Sequence, residues 1–233
     1  MTSYLYETHL HTSPVSKCAK ASVRECLEFY KSLGYDGVFI TNHFFGGNIN
    51  CDIALPYNEK IEFYFSDYEE GVRLGKELGI SVFLGIESSY KSTHFLIYGL
   101  DKAWFLAHPE IMEMKKSQFL TTLMEAGALI IQAHPYREAS YIDHIRLFPR
   151  HVHGVEIYNA SCRDFENSMA EHYAKQYGLI PFAGSDNHSA AQRTTLGGMQ
   201  SETPIKDEAD FISKITSGEM TPFRRDVSQE KGE

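Results

Sequence analysis

Seven short apolar runs, rich in β-branched and aromatic residues, recur along the chain: Tyr4–Glu7, Gly37–Thr41, Ser81–Ile86, His94–Gly99, Ala128–Ala133, Gly154–Tyr158 and Leu179–Ala183. Their length and near-continuous hydrophobicity predict buried strands of a parallel sheet. Amphipathic stretches at helical spacing lie between them. Ala19–Leu33 carries Val23, Cys26, Leu27, Tyr30 and Leu33 at that spacing. Glu59–Leu78, Lys116–Ala126 and Asp164–Tyr177 follow, and Asp207–Thr216 reads as a last surface helix. A glycine stands just past these stretches (Gly34, Gly79, Gly127, Gly178, Gly218), as a left-handed helix cap requires. Strands alternating with helices predict an α/β barrel or a doubly wound sheet. Residues 1–223 read as a single domain and the charged stretch 224–233 as a frayed tail. Two inserts, 44–58 and 137–153, interrupt the alternation, and loops of this length in a compact domain commonly bind ligands.

Polar residues punctuate the ends of the apolar runs. His9 and His11 follow the first; two residues apart on extended backbone, both imidazoles face one way and can share an ion. His43 follows Val38-Phe39-Ile40-Thr41, Glu87 follows Val82-Phe83-Leu84-Gly85-Ile86, and His134 follows the run ending at Ala133. Asp186 and His188 follow Phe182-Ala183-Gly184-Ser185. In a parallel barrel all C-terminal strand ends lie on one face, so residues scattered over most of the chain gather at one mouth. A site for more than one metal ion is expected there. His108, His144, His151, His153 and His172 lack this context and read as surface or local hydrogen-bonding residues.

Composition narrows the class. The chain has 233 residues, 42% hydrophobic and 23% charged, enough apolar content for a core and against a disordered chain. No stretch approaches the roughly 18–20 apolar residues of a membrane helix, and Met1–Glu7 lacks the features of a signal peptide. A formal charge of −9 makes non-specific binding to nucleic acid or a membrane surface unexpected. Four cysteines without a C-x-x-C pair predict a reducing, cytoplasmic location.

The ordered motifs resemble those of the PHP family, named for polymerase and histidinol phosphatase. His9-Leu10-His11-Thr12 resembles its first motif and Ile40-Thr41-Asn42-His43 its second, usually T-D-H. Gly85-Ile86-Glu87, Ala133-His134-Pro135 and Gly184-Ser185-Asp186-Asn187-His188 match the remaining three. The resemblance implies a distorted (β/α)7 barrel, TIM-like, with the metal site at the C-terminal strand ends and two to three divalent ions. By similarity, His9, His11, Glu87 and Asp186 would hold the first ion. Glu87 would bridge to a second, held with His134 and His94, and His43 and His188 would hold a third. Relatives often carry a histidine or aspartate five or six residues after the His-x-His pair, where this chain has Ser16 and Lys17; Asn42 also replaces an acid. These departures fall on the third position and predict its ion to be the weakest held, or to depend on a phosphate bridging to Lys17.

The activity so implied is that of a metal-dependent phosphoric ester hydrolase acting on a small phosphorylated metabolite, histidinol phosphate and a nucleotide being two possibilities. Closely spaced divalent ions lower the pKa of bound water toward ~7, giving a hydroxide nucleophile, and clamp phosphoryl oxygens. Imidazole and carboxylate donors favour zinc, manganese or iron. Arg137, Arg193 and Lys17 are the expected phosphate contacts, with Arg163 a weaker choice. Phe44, Phe45 and Tyr136 stand where an organic group would stack. Two alternatives stay open: an amidohydrolase-type metal hydrolase, which normally adds a bridging lysine, and a non-catalytic metal-binding module.

Overall fold

The computed structural model describes residues 3–228. Its strands are β1 (Tyr4–Leu10), β2 (Gly37–Ile40), β3 (Ser81–Tyr90), β4 (Thr93–Tyr98), β5 (Leu129–Ala133), β6 (Gly154–Asn159), β7 (Ile180–Gly184), β8 (Thr195–Ser201) and β9 (Met220–Asp226). Its α-helices are α1 (Val23–Ser32), α2 (Tyr57–Leu78), α3 (Lys102–Ala107), α4 (Lys116–Glu125), α5 (Asp164–Tyr177) and α6 (Glu208–Ser217). One nine-stranded sheet runs in the order β7-β6-β5-β4-β3-β2-β1-β8-β9. It curls until β7 meets β1. Leu10 bridges Asn187, the His11 N–H donates to the Asn187 carbonyl at 2.9 Å, and the Thr8 hydroxyl donates to the Ala183 carbonyl. The fold is therefore α/β, with a nearly closed barrel.

All seven expected strands are present, but they do not form a regular (β/α)7 repeat. β4 runs antiparallel to both β3 and β5. A two-residue turn joins β3 to β4 through Lys91 and Ser92, whose φ values of 47° and 62° match the twist a tight hairpin needs. β5 reaches β6 through residues 134–153 without a helix. β8 and β9 add an antiparallel hairpin beside β1. Glycines thin the hydrophobic pattern of β8, and packing requires them: a Cβ on Gly198 would lie 2.2 Å from the Tyr6 carbonyl oxygen. Arg224–Asp226, expected in a frayed tail, instead pair with Thr195–Gly197 in β9. Residues 229–233 lie outside the described residues.

Helix α6 lies at the surface, as expected, with Ala209, Ser213, Thr216 and Ser217 exposed, and its inner face drives Phe211 fully into the N-terminal end of the barrel. The Phe211 ring centroid lies 4.3 Å from Phe39, 5.2 Å from Tyr98 and 6.3 Å from Phe182, three residues from three different strands. Burying such a side chain contributes about 1.5–3 kcal/mol. The apolar plug closes one end of the barrel and leaves the other for polar groups. No helix among the described residues is long and apolar enough to cross a membrane.

The seam between β1 and β7 is held by a buried carboxylate. Glu7 Oε1 accepts from the His9 and Ser185 N–H groups, each at 2.9 Å, and Oε2 accepts from the Tyr30 hydroxyl at 2.7 Å. Burial pushes the Glu7 carboxyl up to about 7, and the donated hydrogen bonds only partly oppose it. An acid whose folded pKa lies above its unfolded value holds its proton more tightly when folded, so stability falls as pH rises from about 4.5 to about 7. Glu7→Gln keeps the acceptor and removes the titration. Thermal melts of the chelator-treated protein across this range should show a flatter decline for the variant than for the wild type. Parallel curves would contradict the assignment.

Candidate metal centre

The open end of the barrel collects the eight expected ligands. His9 ends the inward face of β1, His43 and His134 follow β2 and β5, and Asp186 and His188 follow β7. Glu87 sits inside the long strand β3, not beyond its end. His94 begins β4. Because β4 is antiparallel, its first residues lie at the same mouth as the last residues of its parallel neighbours, with His94 paired to Ser89 and Ala133.

Glu87 is the hub. It is fully buried, and its Oε1 lies 2.8 Å from His94 Nδ1, 3.2 Å from His9 Nε2 and 3.3 Å from His134 Nε2. Its Oε2 lies 2.5 Å from His43 Nδ1 and 3.6 Å from His11 Nε2. Asp186 Oδ1 faces His11 Nε2 at 3.3 Å and His9 Nε2 at 3.6 Å. Four three-residue sets have ligand atoms close enough to share an ion: His9/His11/Asp186, His9/Glu87/His134, His43/Glu87/His94 and His11/His43/His188. Despite their proximity, the buried His43 Nδ1 and Glu87 Oε2 make no hydrogen bond of acceptable geometry. Orphaned buried donors and acceptors are costly, and divalent cations among these groups would satisfy both. The residues fit the ions the sequence implies.

Neighbouring groups aim the ligands. His9 Nδ1–H donates to Glu156 Oε1 at 2.9 Å, which leaves Nε2 free to face the pocket. His188 Nδ1 lies 3.1 Å from the Asp186 carbonyl, an acceptor only, so this nitrogen is the donor and Nε2 is again free. Ser16 performs the same office for His11. Its hydroxyl donates to Asn42 Oδ1 at 2.8 Å and accepts from the His43 N–H at 3.0 Å, so it stands as acceptor toward His11 Nδ1 at 3.2 Å. Asn42 is no ligand: its amide accepts from Thr12 N–H and donates to Thr12 Oγ1 and Asp67 Oδ2. Two ligand positions hold uncommon backbone, His134 at φ 28° and Asp186 at φ 51°. The His134 N–H is pinned by Glu156 Oε2 at 3.0 Å. Gly184 lets β7 approach β1, since a Cβ there would lie 2.5 Å from His9 Cβ.

The charges follow from this crowding. Burial opposes ionisation of Glu87 and Asp186, yet both are held well below the usual carboxylate range, Glu87 by His94 and His43 and Asp186 by Arg137 and His9. Burial disfavours the charged imidazole of His9, but Glu156 and Asp186 raise it well above its ordinary value; Glu87 brings His43 up to about 10 against burial. Burial and the neighbouring His188 and His43 push His11 well down, and burial with Arg137 takes His134 to about 4. Ion binding therefore displaces protons from His9 and His43.

The ligands open into a cleft of about 480 Å³. Both sequence inserts contribute to its walls, with Gly46, Gly47 and Asn48 from one and Arg137 and Tyr141 from the other. The expected phosphate contacts are only partly gathered. Arg137 lines the cleft, with its guanidinium donating to Asp186 Oδ2 and to Asn159 Oδ1 at 3.3 Å. Arg193 donates to Ser161 and does not line the cleft. Lys17 is exposed and lines no part of it, whereas its neighbour Cys18 does; the phosphate bridge expected at Lys17 has no support in this placement. Arg163 pairs on the surface with Glu138 and Glu166. Phe44 is buried core, with Phe45 packed against it, and Tyr136 packs beside Tyr173. The aromatic residue at the cleft is Tyr141, 63% exposed. Of the histidines set aside, His153 accepts from the Ile130 N–H at 3.1 Å and His108 stacks on Trp104.

Fold and site together define a class: an α/β barrel whose open end gathers histidines and carboxylates in groups that could hold metal. A family model described as PHP-associated matches residues 164–220. No curated protein matches the sequence. Among solved structures, the fold is similar to a two-domain protein from Bacteroides vulgatus containing a predicted PHP-like metal-dependent phosphoesterase, with TM-score 0.67 and 14% identity over 95% of this chain. The chain spans 65% of that protein's length. A protein from Bifidobacterium adolescentis to which a metal-dependent phosphoesterase role is assigned only provisionally matches with TM-score 0.57 and 12% identity, over 89% of this chain and 94% of that one. An amidohydrolase from Chromobacterium violaceum, solved with sulfate and without metal, matches with TM-score 0.52 and 11% identity, over 93% of this chain and 97% of that one. At these identities the structural likeness is one of fold. The ordered ligands, the fold and the match over residues 164–220 all accord with the PHP resemblance of the sequence.

Glu156 escaped the reading of the sequence. It lies within the run Gly154–Tyr158, and its signal was a lone acid in an apolar strand. It is fully buried and ties together His9, the His134 backbone and Asn159 Nδ2. Glu156→Gln leaves donors facing an amide, and metal affinity should fall by about 10–100-fold with cooperative unfolding preserved. Competition against a chelator at fixed pH measures this, and unchanged affinity would remove Glu156 from the metal centre.

Proposed function

We propose that this protein is a metal-dependent phosphoesterase that hydrolyses a small phosphorylated metabolite. The observation that carries this reading is the single buried Glu87 carboxylate with both oxygens facing imidazoles, beside Asp186, at the floor of an open cleft. His9, His11, Glu87 and Asp186 would hold one ion; Glu87, His94 and His134 a second; His43 and His188 a third. When bound, such ions supply Lewis acidity, an activated water and charge to offset a phosphoryl group.

The chain's own groups do the remaining work. Glu87 and Asp186 carry the negative charge that retains divalent cations. Arg137 holds Asp186 in place and presents its remaining donors to an anion in the cleft, which an otherwise acidic surface would repel. Tyr141, exposed at the rim, offers a face to the organic part of a substrate. The about 480 Å³ of the cleft suits a metabolite-sized ligand. The amidohydrolase reading is less well supported: no lysine lines the cleft among the described residues.

Elemental analysis of protein purified without chelator should find at least two divalent ions per chain. A screen of phosphorylated metabolites should find a hydrolysed phosphomonoester whose turnover ceases on chelation and returns with zinc, manganese or iron. Asp186→Asn suits the left-handed backbone at this position. It should lower kcat by more than the about 10–100-fold that loss of an outer partner brings. Turnover that survives chelation, or amide hydrolysis in place of ester hydrolysis, would contradict the proposal.

A further inference from the structure

The cleft divides by charge. Glu87 and Asp186 on its floor are the only carboxylates among the described residues that line it, and both are committed, Glu87 to His43 and His94 and Asp186 to Arg137. Nearer the mouth the lining is neutral, with Ser89 and Ser92 of the β3–β4 hairpin, the exposed Asn48 and the ring of Tyr141.

Ser89 lies on the same face of β3 as Glu87, two residues or about 7 Å farther toward the mouth. Its neighbour Ser88 faces the other way and is satisfied, since Lys116 Nζ donates to its hydroxyl oxygen at 2.9 Å. Ser89 Oγ is buried and makes no hydrogen bond. It packs against Gly47, where a Cβ would lie 2.7 Å from it, while the residue itself is partly exposed on the cleft. Serine passes readily between its staggered rotamers, and one such step turns the hydroxyl toward a ligand. A buried donor without a partner is costly, and a ligand hydroxyl would satisfy this one.

A phosphoryl group resting on ions around Glu87, with Arg137 beside it, puts the organic part of the ester one layer out, level with Ser89. An ammonium group there would stand close to divalent ions and a guanidinium with no carboxylate left to receive it. The exposed face of Tyr141 would attract it only weakly. We propose that the cleft selects phosphomonoesters whose organic part is neutral and hydroxyl-bearing, such as a polyol or sugar phosphate, with Ser89 hydrogen-bonded to a substrate hydroxyl, and that it discriminates against esters carrying an ammonium group. This names the substrate class of the phosphoesterase reading and rests on that reading.

Three esters that differ in a single group test it: 2-hydroxyethyl, ethyl and 2-aminoethyl phosphate. With zinc-loaded protein, kcat/KM should fall in that order, with the hydroxyl ester at least about 10-fold above the ammonium ester. Ser89→Ala should lower the hydroxyl-to-ethyl ratio about 3–10-fold and melt no earlier than the unaltered protein, because it removes a buried group that has no partner. Ser88→Ala should leave that ratio as it is. Asn48→Asp, which places a carboxylate on the neutral wall, should raise the ammonium-to-hydroxyl ratio, and this tests the charge argument without altering Ser89. Equal kcat/KM for the hydroxyl and ammonium esters, or a hydroxyl-to-ethyl ratio indifferent to Ser89→Ala, would overturn the inference and leave the phosphoesterase reading standing. Metal-loaded protein that hydrolyses no phosphomonoester would overturn both.

Discussion

A carboxylate with no exposure to water needs compensating positive charge, and Glu87 sets that demand for the whole open end of the barrel. Four imidazoles from four segments converge within 3.3 Å of its two oxygens. Protonated His9 and His43 answer the charge when no ion is bound, and divalent ions would answer it better, because each reaches several donors at once. The strand directions, the seam between β1 and β7, and the left-handed backbone at Asp186 bring those donors to one point. The hydrophobic plug around Phe211 at the other end supplies the rigidity that lets charged groups stay crowded here.

Much of this was legible in the sequence because barrel topology turns strand ends into neighbours. The apolar runs placed His9, His11, His43, His134, Asp186 and His188 without coordinates. His94 did not fit a strand-end rule, since local pattern does not record strand direction; the short Lys91-Ser92 turn, which forces β4 to run antiparallel, removes the difficulty. β8 escaped because close packing against Tyr6 and Tyr158 demands glycines that break an apolar run. Helix α6 was legible as a surface element, but the plug formed by Phe211 was not, because amphipathic spacing says which face is apolar but not what lies opposite.

The residues that orient the ligands were the least legible. Glu156 and Asn42 carry no signature beyond being polar, and their roles depend on partners distant in sequence, such as His9 and Asp67. Ser16, read as the loss of a ligand, holds His11 in the tautomer that frees Nε2. Charge at the cleft is likewise set by position: of the four basic residues considered for phosphate, only Arg137 lines it.

Anomalous diffraction from crystals grown with zinc or manganese tests the central claim, that Glu87 lies between bound ions. The account predicts two strong peaks flanking its carboxylate, about 3.5–4 Å apart, one toward His9, His11 and Asp186 and the other toward His94 and His134. Saturating metal that leaves no peak within coordination distance of Glu87 would contradict it.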